Sequence, residues 1–435
     1  MLKIVTSAAT LVLCACTNAD TQTPEALPVD TGKVLTEPLE IGATEMEAAA
    51  ESMTHFGLDL YGEIQTQQGA AKNVFISPAS LSTAFALLYP GARETTADEL
   101  KSLLRIERDA NTHTTAMGAL IQALEKDAEG ERVSINNALW TDKLTVLEQA
   151  YVSLIRQTFN AGDNRVDFRN DPDSSRITIN DWVEEKTEGL IKDLLAPPNI
   201  KKDTRNVLVN TIYMKADWAR PFTKEASRED TFHLAKGEDI QTMMMNQTSM
   251  FKHTKGRGYS AVELPYRNNN LSMAVLLPTS KTGLPALEER VLSDPAALDA
   301  VFANLSEAGL MRVEIKLPKL KIKNRFELKE QLKALGMQRS FTDDAEFWGI
   351  ADPAKQPDGA GIKISEIIHQ TFLEVDEKGT EAAAATAIVG VRITSSQMPP
   401  PNPPIKFHAD HPFVLAIRDN RTGTLLFLGR IVDPR

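Results

Sequence analysis

Any chemistry in the body of this chain must come from hydroxyl, carboxylate and imidazole groups, because its only two cysteines, Cys14 and Cys16, stand at the very start. The seven histidines are scattered, and only His408 and His411 lie close together. A metal site needs several such donors at short spacing, so none is expected. No GxSxG, HExxH or GxxxxGK[ST] pattern occurs, and with them go the common nucleophile elbow, zinc helix and phosphate loop. Gly256–Ala261, GRGYSA, has nominal dinucleotide-loop spacing, but the FKHTK before it is not the apolar strand such a site needs. The chain does not read as an enzyme, and no cofactor is expected.

A different kind of chemistry is suggested by Glu377–Ala387, EKGTEAAAATA. Alanine-rich sequence is the best helix material, yet Gly379 stands ahead of it and the β-branched IVGVRITSS (Ile388–Ser396) follows. PPPNPP (Pro399–Pro404) then blocks any regular element. Four consecutive alanines cannot catalyse, but they can pack. As a strand, the segment would turn Thr380, Ala382, Ala384, Thr386 and Ile388 to one face, with Glu381 on the other.

The elements around this stretch are those of an ordinary globular protein: 435 residues, 42% hydrophobic and 25% charged. A net charge of −11 argues against a nucleic-acid binder. The densest basic run, Lys316–Arg325, reads as a solvated strand edge. At the start, Lys3 and the apolar run Ile4–Leu13 suit a secretory signal and are too short to span a bilayer. Ala15 before Cys16 fits the pattern of a bacterial lipobox, whereas Leu13 before Cys14 does not. A simple secretory signal with incidental cysteines is the alternative. Residues 1–15 are therefore read as a signal of lipoprotein type, with lipid expected on Cys16. Polar, proline-dotted residues 16–43 read as a flexible tether, with a reach of roughly 30 Å. A thiol-free body suits an oxidising exterior, so the protein is expected at the cell envelope, on its periplasmic or outer side, touching the membrane only through a lipid.

From Glu45 the pattern is helical, with Met53, Phe56, Leu60 and Ile64 on one face. Ser77 and Pro78 read as N-cap and first residue of a helix that Pro90-Gly91 stops. Thr95 or Thr96 is available to cap the next. Val133–Asp142 alternates like a strand, and Ser174–Leu195 is helical with Ile179, Trp182 and Leu190 apolar. Arg205–Phe222 is strand-rich, and Tyr259–Pro278 reads as a hairpin turning at Asn268–Asn270. MRVEIKLPKLKI is read as one strand and Phe326–Gly336 as a helix. Two strands around the Asp419–Gly423 turn close the chain. Helices dominate the first half and strands the second, without a βαβ rhythm, which gives an α+β class. No linker divides residues 44–435, so one large domain is expected.

NVFISPASLSTAFALLYPGA, NNALW, LVNTIYMKADWARPF, VELPY, FELKEQLKALGM, EVDEKGTEAAAATA and FHADHPFVLAI, in that order, together resemble the serpins. The resemblance covers nearly all of residues 50–434. It implies a single domain of eight or nine helices and three β-sheets, with an exposed reactive-centre loop at about 377–398. It also implies a monomeric suicide inhibitor of serine proteases, and some members trap cysteine proteases as well. In such proteins the loop is bait, and after cleavage it inserts as a strand of the large sheet. Small residues on the inward face would slide between strands, where a charge would be buried unpaired. About fifteen added residues at roughly 0.5–1.5 kcal/mol per hydrogen bond give on the order of 10–20 kcal/mol, comparable with the stability of a whole domain.

The same resemblance implies roles residue by residue. Counting from hinge glycine Gly379 places the cleaved bond at Ile393–Thr394, which suits an elastase-like or broad-specificity protease. The runner-up, Arg392–Ile393, would suit a trypsin-like one. Ser77, Ser80, Asn210 and His369 would form a hydrogen-bonded shutter under the sheet, and Trp218 would mark the breach where insertion starts. Lys319 and Glu377 resemble a salt bridge near the hinge. The chain departs from the family's pattern at Pro90, in PPPNPP, and in ADPAKQPDGAG (Ala351–Gly361), which reads as an added loop. The alternative function is a non-inhibitory binding module on the same fold. Such members tend to carry charged or bulky hinge residues, and the inward face of this hinge carries none.

Overall fold

A computed structural model describes residues 39–125, 128–380 and 403–435. Among them, the three-and-four spacing from Ala43 gives helix α1 (Ala43–Gln68), with Met53, Phe56, Leu60 and Ile64 fully buried. Strand β1 (Val74–Ile76) follows, and then α2 (Pro78–Leu88), whose cap is Ser77 and whose first residue is Pro78. All eleven residues of α2 are buried, because it lies between two sheets. Tyr89–Gly91 tightens into a 3₁₀ turn at the Pro90-Gly91 stop.

The helices α3 (Glu94–Leu103), α4 (Ala110–Leu124), α5 (Gln149–Phe159) and α6 (Pro172–Lys186) alternate with β2 (Glu131–Asp142), β3 (Asp163–Val166) and β4 (Asn206–Asp217). The second half is mostly strand: β5 (Arg228–His233), β6 (Asp239–Gly256), β7 (Tyr259–Pro265), β8 (Leu271–Pro278), β9 (Leu310–Pro318), β10 (Leu320–Glu327), β11 (Ile367–Val375), β12 (Gly379–Thr380), β13 (Ile405–His408), β14 (Phe413–Asp419) and β15 (Leu425–Ile431). Short helices α7 (Leu284–Val291), α8 (Pro295–Glu307) and α9 (Lys329–Ala334) interrupt it. The class is α+β, with nine α-helices among the described residues.

Six strands form one sheet in the order β10-β11-β12-β4-β2-β3. A second, nine-stranded sheet runs β1-β15-β14-β8-β7-β6-β9-β13, with β5 beside β6. Two of the three expected sheets are thus joined by hydrogen bonding through β6. Its first residues pair with β5 and its last with β7, while β9 spans the middle. α2 packs on β2 and β4 of the first sheet and on β15 of the second. The opposite face of the six-stranded sheet is covered by α6, where Trp140 and Trp182 meet edge to face at 6.0 Å.

Four local expectations are corrected. Neither Thr95 nor Thr96 caps α3; Arg93 precedes it, and the Thr96 amide and hydroxyl both donate to Glu346, 250 residues away. MRVEIKLPKLKI is two strands, β9 and β10, in different sheets, with Lys319 alone between them. α6 ends at Lys186, so Leu190 lies beyond it. α9 covers only Lys329–Ala334, because Phe326 and Glu327 still belong to β10.

Candidate functional site

The cap of α2 begins the first half of the site. The Ser77 hydroxyl accepts from the Ser80 amide at 3.1 Å and donates to the Leu426 carbonyl at 2.7 Å. The Ser77 amide donates to His369 Nε2 at 3.1 Å. Ser80 Oγ donates to Asn210 Oδ1, and Asn210 Nδ2 donates back to the Ser80 carbonyl at 2.6 Å and to Asn137 Oδ1. Asn137, Asn210 and His369 sit side by side across β2, β4 and β11 in the ladder. Burial holds the His369 imidazole down to about 3, so it is neutral and can accept from Ser77. Asn137 was not singled out from the sequence, although it stands in the NNALW stretch.

Ladder pairing between β11 and β4 is confined to Ile367–His369 with Leu208–Asn210. Farther along, Gln370–Glu374 pair with β10 and Thr211–Lys215 with β2. The two inner strands then diverge around β12, whose Gly379 and Thr380 pair with Asp217 and Ala216 on one side and whose Thr380 pairs with Val375 on the other. The fissure below β12 is lined by Ile212, Tyr213, Met214, Phe372, Glu374 and Thr380.

The turn that feeds β12 is tied down on all sides. Asp376 Oδ1 accepts from the amides of Lys378 at 2.8 Å and Gly379 at 3.2 Å. Trp218 donates its amide to the Lys378 carbonyl at 2.7 Å and its indole N–H to the Asp376 carbonyl at 2.9 Å. Its ring stacks on Tyr266, with centroids 4.5 Å apart. The Tyr266 and Thr380 hydroxyls are 2.7 Å apart. Glu377, only 3% exposed at its side chain, meets Lys319 Nζ at 2.8 Å and accepts from the Ser227 hydroxyl at 2.8 Å. Burial alone would raise the Glu377 carboxyl, but the bonds from Lys319 and Ser227 bring it below its ordinary value.

Gly379 has a reason not visible in the sequence. It does not take a positive φ. A Cβ there would stand 2.0 Å from the Ala216 carbonyl oxygen and 2.8 Å from the Asp217 Cα. The glycine lets one backbone lie against another.

A strand start wedged between the central strands of a sheet, above a buried serine–asparagine–histidine set, narrows the field sharply. The family described as "Serpin (serine protease inhibitor)" matches residues 51–434. The chain belongs to the serpin family. Human Serpin B3 is 32% identical over 407 residues, covering 89% of this chain and all of that protein. An uncharacterized serpin-like protein of Thermococcus kodakarensis is 35% identical over 386 residues, covering 88% of this chain and 85% of that one. The solved structure titled "Cleaved Serpin 42Da" superposes with a TM-score of 0.77 at 31% identity, over 91% of this chain and all of the other. Serpins are protease inhibitors rather than enzymes.

In this serpin the structure brings Ser77, Ser80, Asn210 and His369 into one hydrogen-bonded set. It gathers Trp218, Lys319, Glu377, Gly379 and Thr380 into a second at the other end of the fissure. Tyr266, Asp376 and Ser227 belong to the second set and were not found from the sequence; each lies far along the chain or carries an unremarkable residue type. Cys16, Ala382, Ala384, Thr386, Arg392, Ile393 and Thr394 lie outside the described residues.

Proposed function

We propose that this serpin is a suicide inhibitor of serine proteases that works by strand insertion. The observation that carries the reading is β12. Two residues of the hinge itself, Gly379 and Thr380, already pair as a strand between β11 and β4, and the fissure continues below them. Each further residue that entered would gain ladder hydrogen bonds, and Ala382, Ala384 and Thr386, which would then turn inward, are small enough to pass. In this reading the protease acylates itself on the bait at Ile393–Thr394, with Arg392–Ile393 as the runner-up. The bait then enters the sheet and drags the acyl-enzyme with it. The set around Ser77 and His369 is the shutter that must part, and the set around Trp218 and Glu377 is the breach where insertion starts. Elastase-like or trypsin-like serine proteases are the partners, and cysteine proteases form a second class. No helix among the described residues is long and apolar enough to cross a membrane; attachment is assigned to a lipid on Cys16, which loss of membrane association in Cys16→Ser would support and unchanged association would refute.

The test mixes the protein with elastase-, trypsin-, chymotrypsin- and subtilisin-like proteases. The expected result is a covalent complex that survives a denaturing gel, with a released peptide that begins at Thr394 or Ile393. Cleavage without any complex, and without a gain in thermal stability, would overturn the inhibitor reading.

A further inference from the structure

The loop Ala351–Gly361, read from the sequence as an addition, is not loosely attached. Lys355 Nζ meets the two Glu148 carboxylate oxygens at 2.6 and 2.9 Å. Gln356 accepts from the Val146 amide and donates to the Val146 carbonyl, both at 2.9 Å. Asp358 Oδ2 lies 2.8 Å from Arg169 and 3.6 Å from Arg205. Just beyond the loop, the Lys363 carbonyl accepts from Asn206 Nδ2 at 2.9 Å.

These attachments share a geometry. The loop runs directly into β11, so it belongs to one side of the fissure. Its partners belong to the other: Val146 follows β2, Arg169 follows β3, and Arg205 and Asn206 open β4. The far side is itself tied together. The Asp142 amide donates to the Arg205 carbonyl at 3.0 Å, and the Asp142 carboxylate, 0% exposed, lies 3.3 Å from Arg169 Nε. The Asp358 carboxylate therefore bridges the β11 side to a unit made of the ends of β2, β3 and β4. It does so at the foot of the fissure, next to the only β11–β4 ladder pairs, Ile367–His369 with Leu208–Asn210.

We propose that residues 355–363 form a clasp across the foot of the fissure, with Asp358 as its main fastener, so that full opening of the sheet requires the clasp to be broken. This rests on the strand-insertion reading. β12 enters from the opposite end, where the sides are tied by hydrogen bonds from Trp218 to the Asp376 and Lys378 carbonyls rather than by a bridging carboxylate. The clasp acts last, when β4 and β11 separate at their feet. It keeps the sheet shut against accidental opening and yields only to a strand already committed to entering.

The test compares the full chain with its Asp358→Asn variant. A labelled peptide with the sequence of residues 380–393 is offered to both, and its uptake rate is followed at low and at high salt. Uptake is expected to be roughly three- to tenfold faster in the variant, the scale of a doubly paired, partly screened carboxylate. Salt should accelerate the unmodified chain more than the variant. Amide exchange of Leu208–Asn210 and Ile367–His369 should rise in the variant while that of β14 and β15 stays unchanged. Equal exchange at the foot in the two proteins would overturn the clasp, as would a uniform loosening of the whole fold. If neither protein takes up the peptide, strand insertion fails, and the exchange comparison still decides whether Asp358 holds the foot closed.

Discussion

The hydroxyl of Tyr266 stands 2.7 Å from that of Thr380, and this bond pins the last residue of β12 to a residue just beyond the end of β7 in the other sheet. Both side chains are buried, so neither hydroxyl has water as a ready substitute. Tyr266→Phe and Thr380→Val should each destabilise the native state to denaturant by about 1 kcal/mol. In a double-mutant cycle the pair should show a coupling of roughly 0.5–1.5 kcal/mol. Additive losses would mean that the bond contributes nothing.

Gly379→Ala puts a methyl group where the Ala216 carbonyl oxygen lies 2.0 Å away. Overpacking of this kind costs roughly 1–3 kcal/mol. The expected outcome is that β12 leaves the sheet while the rest of the fold persists. The Trp218 amide, bonded to the Lys378 carbonyl, should lose protection from hydrogen exchange. A fully protected Trp218 amide in the variant would contradict the packing argument.

His369 sets a pH dependence. Burial lowers its folded-state imidazole from 6.5 to about 3, so the unfolded chain binds a proton there that the folded chain refuses. Stability from this group is complete above the unfolded value and falls as pH drops from 6.5 toward 3, by about 1.4 kcal/mol per pH unit per proton. His113, lowered by burial to about 4, acts in the same sense over a narrower window. Urea titrations between pH 7 and 5 should show a slope that His369→Gln reduces by about one proton, leaving the shares of His113 and of His253, which burial also lowers. An unchanged slope would show that His369 is already charged in the fold.

A buried ion pair far from the fissure should matter more to stability than to function. Glu288 lies 3.5 Å from Arg430, both almost wholly buried, and accepts from Tyr61 and Gln65 at 2.6 Å. Glu288→Val would leave the Arg430 guanidinium without a counter-charge, with only the carbonyls of Gly69 and Lys72 as partners. The expected loss is roughly 3 kcal/mol of stability, measured by denaturant unfolding, without a change in the protease bond that is cleaved.

Features set by local sequence were the legible ones. The α1 stripe, the Ser77-Pro78 start of α2 and the hairpin turn before β8 each depend on neighbouring residues, so spacing and turn chemistry reveal them. Features completed from a distance were not. Nothing near Thr96 announces that Glu346 satisfies its amide, and in IKLPKLKI Pro318 marks a strand end without saying that the chain changes sheets at Lys319. In the sequence Gly379 reads only as a hinge glycine, whereas the structure uses its lack of a Cβ. Tyr266 shows no local pattern that points to Thr380, 114 residues away.

That change of sheets has a mechanical meaning. Lys319 is the whole of the linker between β9 and β10; its amide is held by the Met243 carbonyl of β6 at 2.9 Å, and its side chain holds Glu377 of the hinge. One residue leaves no slack. Here, as at Tyr266 and Thr380, the two sheets are geared together, and a displacement of β6 bears on the Glu377 carboxylate beside β12.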